Sequence, residues 1–284
     1  MKLLIYSLFI PFISFAQQAE TDIWLFKLSK KEGKYIYTNP LNITQRVGYD
    51  NQPAFSSDNK SIYYVSIDST KQADIYKYDI LKKTHLNLTK SEVSEFSPTF
   101  IPDGKGISTV VVEKDSSQRV WHYNLDGSFN KILFPDIDSV GYHTWINVDS
   151  MIYYKLTEPH SLRVVDSKGK DVWITDEPTR AFKKMNQAHL FLYGVKVKDG
   201  ISYRVYNTIL KESRSYGVHS SSNEDFIWNH ELGLLKSEGS DILKYNEQNK
   251  QWEILFSFSS LGIKKITRFV FDSKNKQLAI VSNL

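Results

Sequence analysis

Gln52-Pro53-Ala54-Phe55-Ser56-Ser57-Asp58-Asn59-Lys60-Ser61-Ile62-Tyr63 and Ser97-Pro98-Thr99-Phe100-Ile101-Pro102-Asp103-Gly104-Lys105-Gly106-Ile107-Ser108 follow one pattern. Pro53 and Pro98, Phe55 and Phe100, Asp58 and Asp103, and Ile62 and Ile107 each stand 45 residues apart. Each stretch reads as a strand, a turn and a second strand. Asp58-Asn59 and Asp103-Gly104 accept positive φ, which two-residue hairpin loops require. A repeat of this length points to a stacked β architecture built from units that cannot bury their apolar faces alone.

The pattern extends beyond the hairpin. Asp22-Ile23-Trp24-Leu25-Phe26 returns as Asp74-Ile75-Tyr76-Lys77-Tyr78, and Leu41-Asn42-Ile43-Thr44 returns as Leu86-Asn87-Leu88-Thr89. The first complete unit therefore runs from about Tyr49 to Thr89, with four strands, and the second keeps register with Val120, Tyr123 and Leu133 at the places of Ile75, Tyr78 and Leu88. A third unit puts Trp145 where Phe100 stood. A fourth, more divergent one is expected at Arg180 to Phe182, His189 to Val195, Ser202 to Tyr206 and an edge at Ser213 to Val218. A fifth follows, with inner strands at Asp225 to Trp228 and Leu232 to Leu235 and then Asp241-Ile242-Leu243-Lys244-Tyr245. Phe269 to Ser282 aligns on Pro53 to Ser66 without a gap and supplies two inner strands, whose outer partners are the unpaired strands at Asp22 to Phe26 and Leu41 to Thr44. The expectation is an all-β, six-bladed β-propeller of four-stranded antiparallel blades. Its last blade is closed by strands from both termini, which leaves no open edge in the ring.

Met1-Lys2, an apolar run from Leu3 to Phe15, and Ser14 and Ala16 ahead of Gln17 read as a secretory signal peptide over residues 1–16. The run is too short for a span of about 20 residues. Residues 17–284 are expected to form one domain, about 45 residues per blade, because no Pro/Gly/Ser-rich linker interrupts them. The chain has no cysteine, which excludes disulfides, thiol chemistry and a lipid anchor on cysteine. Its formal charge of +4 is dispersed among alternating signs. That describes a solvated surface and not a nucleic-acid footprint, which needs clustered basic residues.

The unit Pro-x-Phe-Ser-x-Asp-Asn/Gly-Lys-x-Ile, followed by Asp-Ile-Tyr-x-Tyr-Asp and Leu-Asn-Leu-Thr, resembles the WD-like repeat of TolB-type β-propellers. Pro53, Phe55, Ser56, Asp58, Asn59, Lys60, Ile62, Asp74, Ile75, Tyr76, Tyr78, Asp79 and Leu86 to Thr89 carry that resemblance. It implies a stand-alone secreted or periplasmic propeller that acts as an interaction module. TolB itself carries a further α/β domain ahead of its propeller, so a role in the Tol system is not implied. Fold carries over on such a likeness far better than function does.

No nucleophile elbow, phosphate-binding glycine loop or paired-histidine metal motif is present, and the seven histidines are scattered singly. Neither catalytic residues, a metal nor a cofactor is therefore expected. What remains is geometry: in a propeller, residues just ahead of each inner-strand aromatic ring one mouth of the channel. Asp50, Glu95, His143, Arg180, Asp225 and Arg268, with Tyr142 and Glu224 adjacent, are the candidates for ligand binding. For Asp50 and Glu95 the competing reading is an acceptor of hydrogen bonds from the neighbouring blade. For Arg180, Asp225 and Arg268 it is a mutual ion-pair network. The sequence thus reads as a monomeric binding or scaffolding module for an envelope protein, peptide or glycan. A channel-based, metal-dependent hydrolase or lactonase is the alternative.

Overall fold

A computed structural model describes residues 20–69, 71–220 and 224–283; residues 1–16, read from the sequence as a signal peptide, lie outside the described residues. The chain is all-β, with one helical turn, Ser259–Leu261, among the described residues. In chain order the strands are β1 (Thr21–Lys31) and β2 (Lys34–Asn42); β3 (Tyr49–Phe55), β4 (Ser61–Ile67), β5 (Ala73–Asp79) and β6 (Thr84–Asn87); and β7 (Ser94–Phe100), β8 (Gly106–Val112), β9 (Gln118–Asn124) and β10 (Phe129–Leu133). They continue as β11 (Val140–Asn147), β12 (Ser150–Lys155), β13 (Ser161–Asp166) and β14 (Asp171–Asp176); then β15 (Pro178–Lys184), β16 (Leu190–Val197), β17 (Gly200–Asn207) and β18 (Glu212–Ser220). Last come β19 (Phe226–Asn229), β20 (Gly233–Glu238), β21 (Asp241–Asn246) and β22 (Gln251–Ser257), and β23 (Ile266–Phe271) with β24 (Gln277–Asn283).

Strands β7 to β10, β11 to β14, β15 to β18 and β19 to β22 each form a four-stranded antiparallel blade. The remaining eight strands share one sheet. Within it β3 to β6 follow the same up-and-down order, while β23, β24, β1 and β2 are consecutive neighbours. Strand β1 runs antiparallel to β24, with Thr21 opposite Asn283 and Lys27 opposite Gln277, and it meets β3 only at Thr21 opposite Tyr49.

The turns depart from the two-residue hairpins that the dipeptides predict. Asn59 N–H donates to Ser56 O at 2.8 Å and Gly104 N–H to Ile101 O at 2.9 Å, so each loop is a four-residue turn. Only its last residue is left-handed, with φ of 59° at Asn59 and 73° at Gly104. The aspartate before it is not left-handed: its carboxylate accepts the N–H two residues on, Lys60 at 3.1 Å and Lys105 at 3.0 Å. That Asx-type bond is why aspartate recurs there.

The Asp-Ile and Asn-x-Thr motifs are the two halves of one knot at the outer strands. Asn42 Nδ2 donates to Asp22 and Asn87 Nδ2 to Asp74, at 2.5 and 2.6 Å. Thr44 Oγ1 accepts the Ile23 N–H at 2.8 Å and Thr89 Oγ1 the Ile75 N–H at 3.1 Å. Side chains thus take over where the strand ladder stops, which buried backbone donors require.

Between successive four-stranded layers lie buried apolar clusters, six in all among the described residues. Ile75 and Val65 pack on Ile107 and Val111, Val110 and Val120 on Met151 and Tyr153, and Tyr154 and Leu162 on Phe191 and Tyr193. Phe26 and Phe269 pack on Leu235 and Phe258, and Ile23 and Val281 on Ile62 and Tyr78, so the layer shared by the chain ends has a core on each side. A fully buried Phe, Leu or Ile contributes about 1.5–3 kcal/mol each.

Candidate functional site

The inner strands of all the layers line one cavity of about 460 Å³. Its wall carries Gln52 to Phe55, Ser97 to Phe100, Tyr142 to Thr144, Arg180 to Lys183, Asp225 to Ile227 and Arg268 to Phe271. Pro53 and Pro98 enter this wall at bulges. The register breaks between Asn51 and Ala54 and again between Phe96 and Thr99, and the residues just ahead of the prolines, Gln52 and Ser97, are left-handed at φ 58° and 55°. A bulge re-aims the strand and accommodates a residue without a ladder N–H. It also brings the Gln52 carboxamide oxygen to the Ser97 backbone N–H, a tie between neighbouring blades.

Of the eight residues read from the sequence, Tyr142, His143, Arg180, Asp225 and Arg268 line the cavity. Arg180 grips Asp225 at two points, Nε to Oδ1 at 3.2 Å and Nη2 to Oδ2 at 2.5 Å. Burial works against the guanidinium charge, but Asp225 more than offsets it and holds Arg180 above its ordinary range. Arg268 Nε is 3.8 Å from the same carboxylate; its Nη2 donates to Tyr142 OH at 3.5 Å, and its guanidinium lies 5.4 Å from the centre of the Tyr142 ring.

His143 is 7% exposed. Ser108 Oγ lies 2.7 Å from its Nε2, donates to Thr99 O at 3.1 Å and accepts the Trp145 Nε1–H at 2.9 Å. With the serine proton given to Thr99, His143 must carry its own proton on Nε2, and Nδ1 is a bare, buried acceptor with no partner among the described residues. Burial pushes its pKa down to about 4, so the ring is neutral at physiological pH.

The other three lie off the cavity wall. Glu224 pairs with Lys196 at 2.9 Å and accepts the Arg180 N–H at 3.4 Å. Asp50 is fully buried; its Oδ1 takes Arg46 Nη2 at 2.8 Å, and its backbone O takes Thr21 Oγ1 at 3.0 Å. Glu95 is fully buried between two blades, where Thr89, Ser91 and Tyr123 donate their hydroxyls to it. Sequence position places Asp50 and Glu95 at the mouth, but their side chains point into the blade contacts, because alternate residues of a strand face opposite ways.

Two wall residues escaped the sequence reading. Lys183 lies in the cavity wall and makes no hydrogen bond or ion pair among the described residues; burial pulls its ammonium down. Gln52 was visible only as the residue before a repeat proline. Tyr49 stands close enough to Arg268, Tyr142, Arg180 and Asp225 to feel their charges, and burial raises its phenol. Among the described residues, no three His, Asp or Glu side chains converge as a metal site would need.

These blades and this cavity give the chain a β-propeller fold like that of TolB-type proteins. A protein of Agrobacterium tumefaciens assigned as a TolB superposes on 94% of this chain and 99% of its own, with a TM-score of 0.65 at 9% identity. A gluconolactonase of Xanthomonas campestris, XC5397, matches over 95% of this chain and 99% of its own, at 0.62 and 8%. A chain of the nidogen/laminin complex matches over 92% and 98%, again at 0.62 and 8%. No family model and no curated protein sequence matches the chain.

Proposed function

We propose that this chain is a secreted binding module: a six-bladed propeller, closed by β23, β24, β1 and β2 as one blade, that takes its ligand at the channel mouth. The ring reading is supported by six inter-layer cores for six four-stranded layers. Export is supported by the apolar Leu3 to Ala16 run. The observation that carries the binding reading is a single cavity whose wall gathers Tyr142 and His143, Arg180, Asp225 and Arg268 from four different layers. Convergent polar groups in a concave, largely apolar pocket mark a ligand site.

The test is a steric plug that leaves every charge in place. Ala54 lines the cavity, and Ala54→Trp should fill it. Wild-type protein incubated with native envelope extract and analysed by mass spectrometry should retain a ligand that the folded variant does not. Equal retention by both would remove the channel from the function.

A metal-dependent lactonase or hydrolase is the second reading, favoured by the likeness in fold to a gluconolactonase. It needs several hard oxygen ligands in the channel, and the one wall carboxylate, Asp225, is held by Arg180. Calcium and manganese titrations followed by calorimetry separate the readings, since a binding module of the kind proposed takes up neither ion.

A further inference from the structure

Resting on the channel as binding site, we propose that it selects a small anion, whose carboxylate or phosphate lies between Arg268 and Lys183. Three cationic side chains, Arg180, Arg268 and Lys183, stand on the wall against the single carboxylate of Asp225. The Arg180 pair consumes that carboxylate geometrically, with both of its oxygens engaged. Arg268 keeps most of its five donors: one hydrogen bond, at the 3.5 Å limit, is all that it makes with the described residues. A guanidinium fork that lies over an aromatic ring and is short of acceptors is suited to two-point capture of an oxyanion.

Lys183 sharpens the case. Its half-buried ammonium makes no hydrogen bond or ion pair with the described residues, and a ligand oxyanion would supply a partner. Asp225 and Arg268 are the charged groups whose fields reach Lys183, so it shares the region where the anion would sit. The volume, about 460 Å³, suits a small molecule and not a folded partner.

Four probes on a six-membered ring divide the claim: glucuronate, glucose 6-phosphate, glucose and cyclohexanecarboxylate, each titrated into the full chain by calorimetry. We expect saturable binding of glucuronate and cyclohexanecarboxylate or of glucose 6-phosphate, which tells carboxylate from phosphate, and affinity for glucose lower by roughly tenfold or more, the worth of a charged hydrogen bond. Arg268→Gln and Lys183→Met should each weaken the anion by roughly tenfold or more. Lys183→Met should also melt at or above the wild-type temperature without ligand, which checks that it folds. Binding of glucose as tight as that of the anions, anion binding indifferent to both variants, or no binding of any of the anions overturns the proposal. If glucose binds as well and Ala54→Trp abolishes it, the channel reading survives and only the anion preference falls.

Discussion

Glu95 shows how one residue can look functional and be structural. Burial raises its carboxyl pKa from 4.5 to about 7, despite the hydroxyls that Ser91, Thr89 and Tyr123 donate to it. The folded state therefore holds the proton more tightly than the unfolded chain does, and stability from this group grows as pH falls from about 7 towards 4.5. His143 works in the other direction: its folded pKa of about 4 lies below its ordinary 6.5, so its contribution is lost as pH falls between those values. Comparing Glu95→Gln with wild type at pH 8 and pH 4.5 cancels the histidine. Urea unfolding should show the difference moving by about 2–3 kcal/mol in favour of wild type on going to pH 4.5. A difference that does not move with pH would mean that Glu95 carries no raised pKa.

At the scale of elements, the turns between paired inner strands do more than reverse the chain. Asn275, left-handed at φ 52°, exchanges two amide hydrogen bonds with Asn229 of the preceding blade, 2.7 and 3.3 Å long, and both residues are buried. Asn59, left-handed in the same way, reaches Ser273 Oγ at 2.8 Å, but at the surface. Asn275→Gly keeps the backbone conformation and loses the amide, so it should cost about 1–3 kcal/mol in urea unfolding. Asn275→Ala should cost about 1 kcal/mol more, for the strained φ, and Asn59→Gly less than about 1 kcal/mol, because water replaces its partner. Equal effects at both turns would show that the buried amide pair is idle. The repeat made both turn positions legible, but the spacing is silent on which of these contacts between turns is buried. That depends on how closely two blades approach, a property of their packed side chains.

For the whole molecule, the sheet shared by β23, β24, β1 and β2 is the proposed latch. Removing residues 266–284 deletes β23 and β24 and strips both cores that Phe26 and Ile23 help to build. We expect the truncated chain to lose its cooperative thermal transition by circular dichroism and calorimetry; a native-like melt would mean that the remaining sheets hold together without that layer. The parts of this arrangement were readable in advance. The gapless match of Phe269 to Ser282 with Pro53 to Ser66 pairs the chain ends, and the β1 to β24 ladder follows that pairing.

Period and residue type alone therefore determined the strands, their grouping in fours and the partnership of the two ends, because a strand with one buried face must repeat its apolar and turn residues at fixed intervals. They also brought Tyr142, His143, Arg180, Asp225 and Arg268 together, since all five stand at one height of the inner strands. The tertiary structure decided which polar side chains of that level enter the cavity. It turned Asp50 and Glu95 into the blade contacts and left Lys183 in the wall without a partner among the described residues. Such outcomes follow from side-chain direction at bulges and from the distance between neighbouring blades, and neither is carried by spacing along the chain.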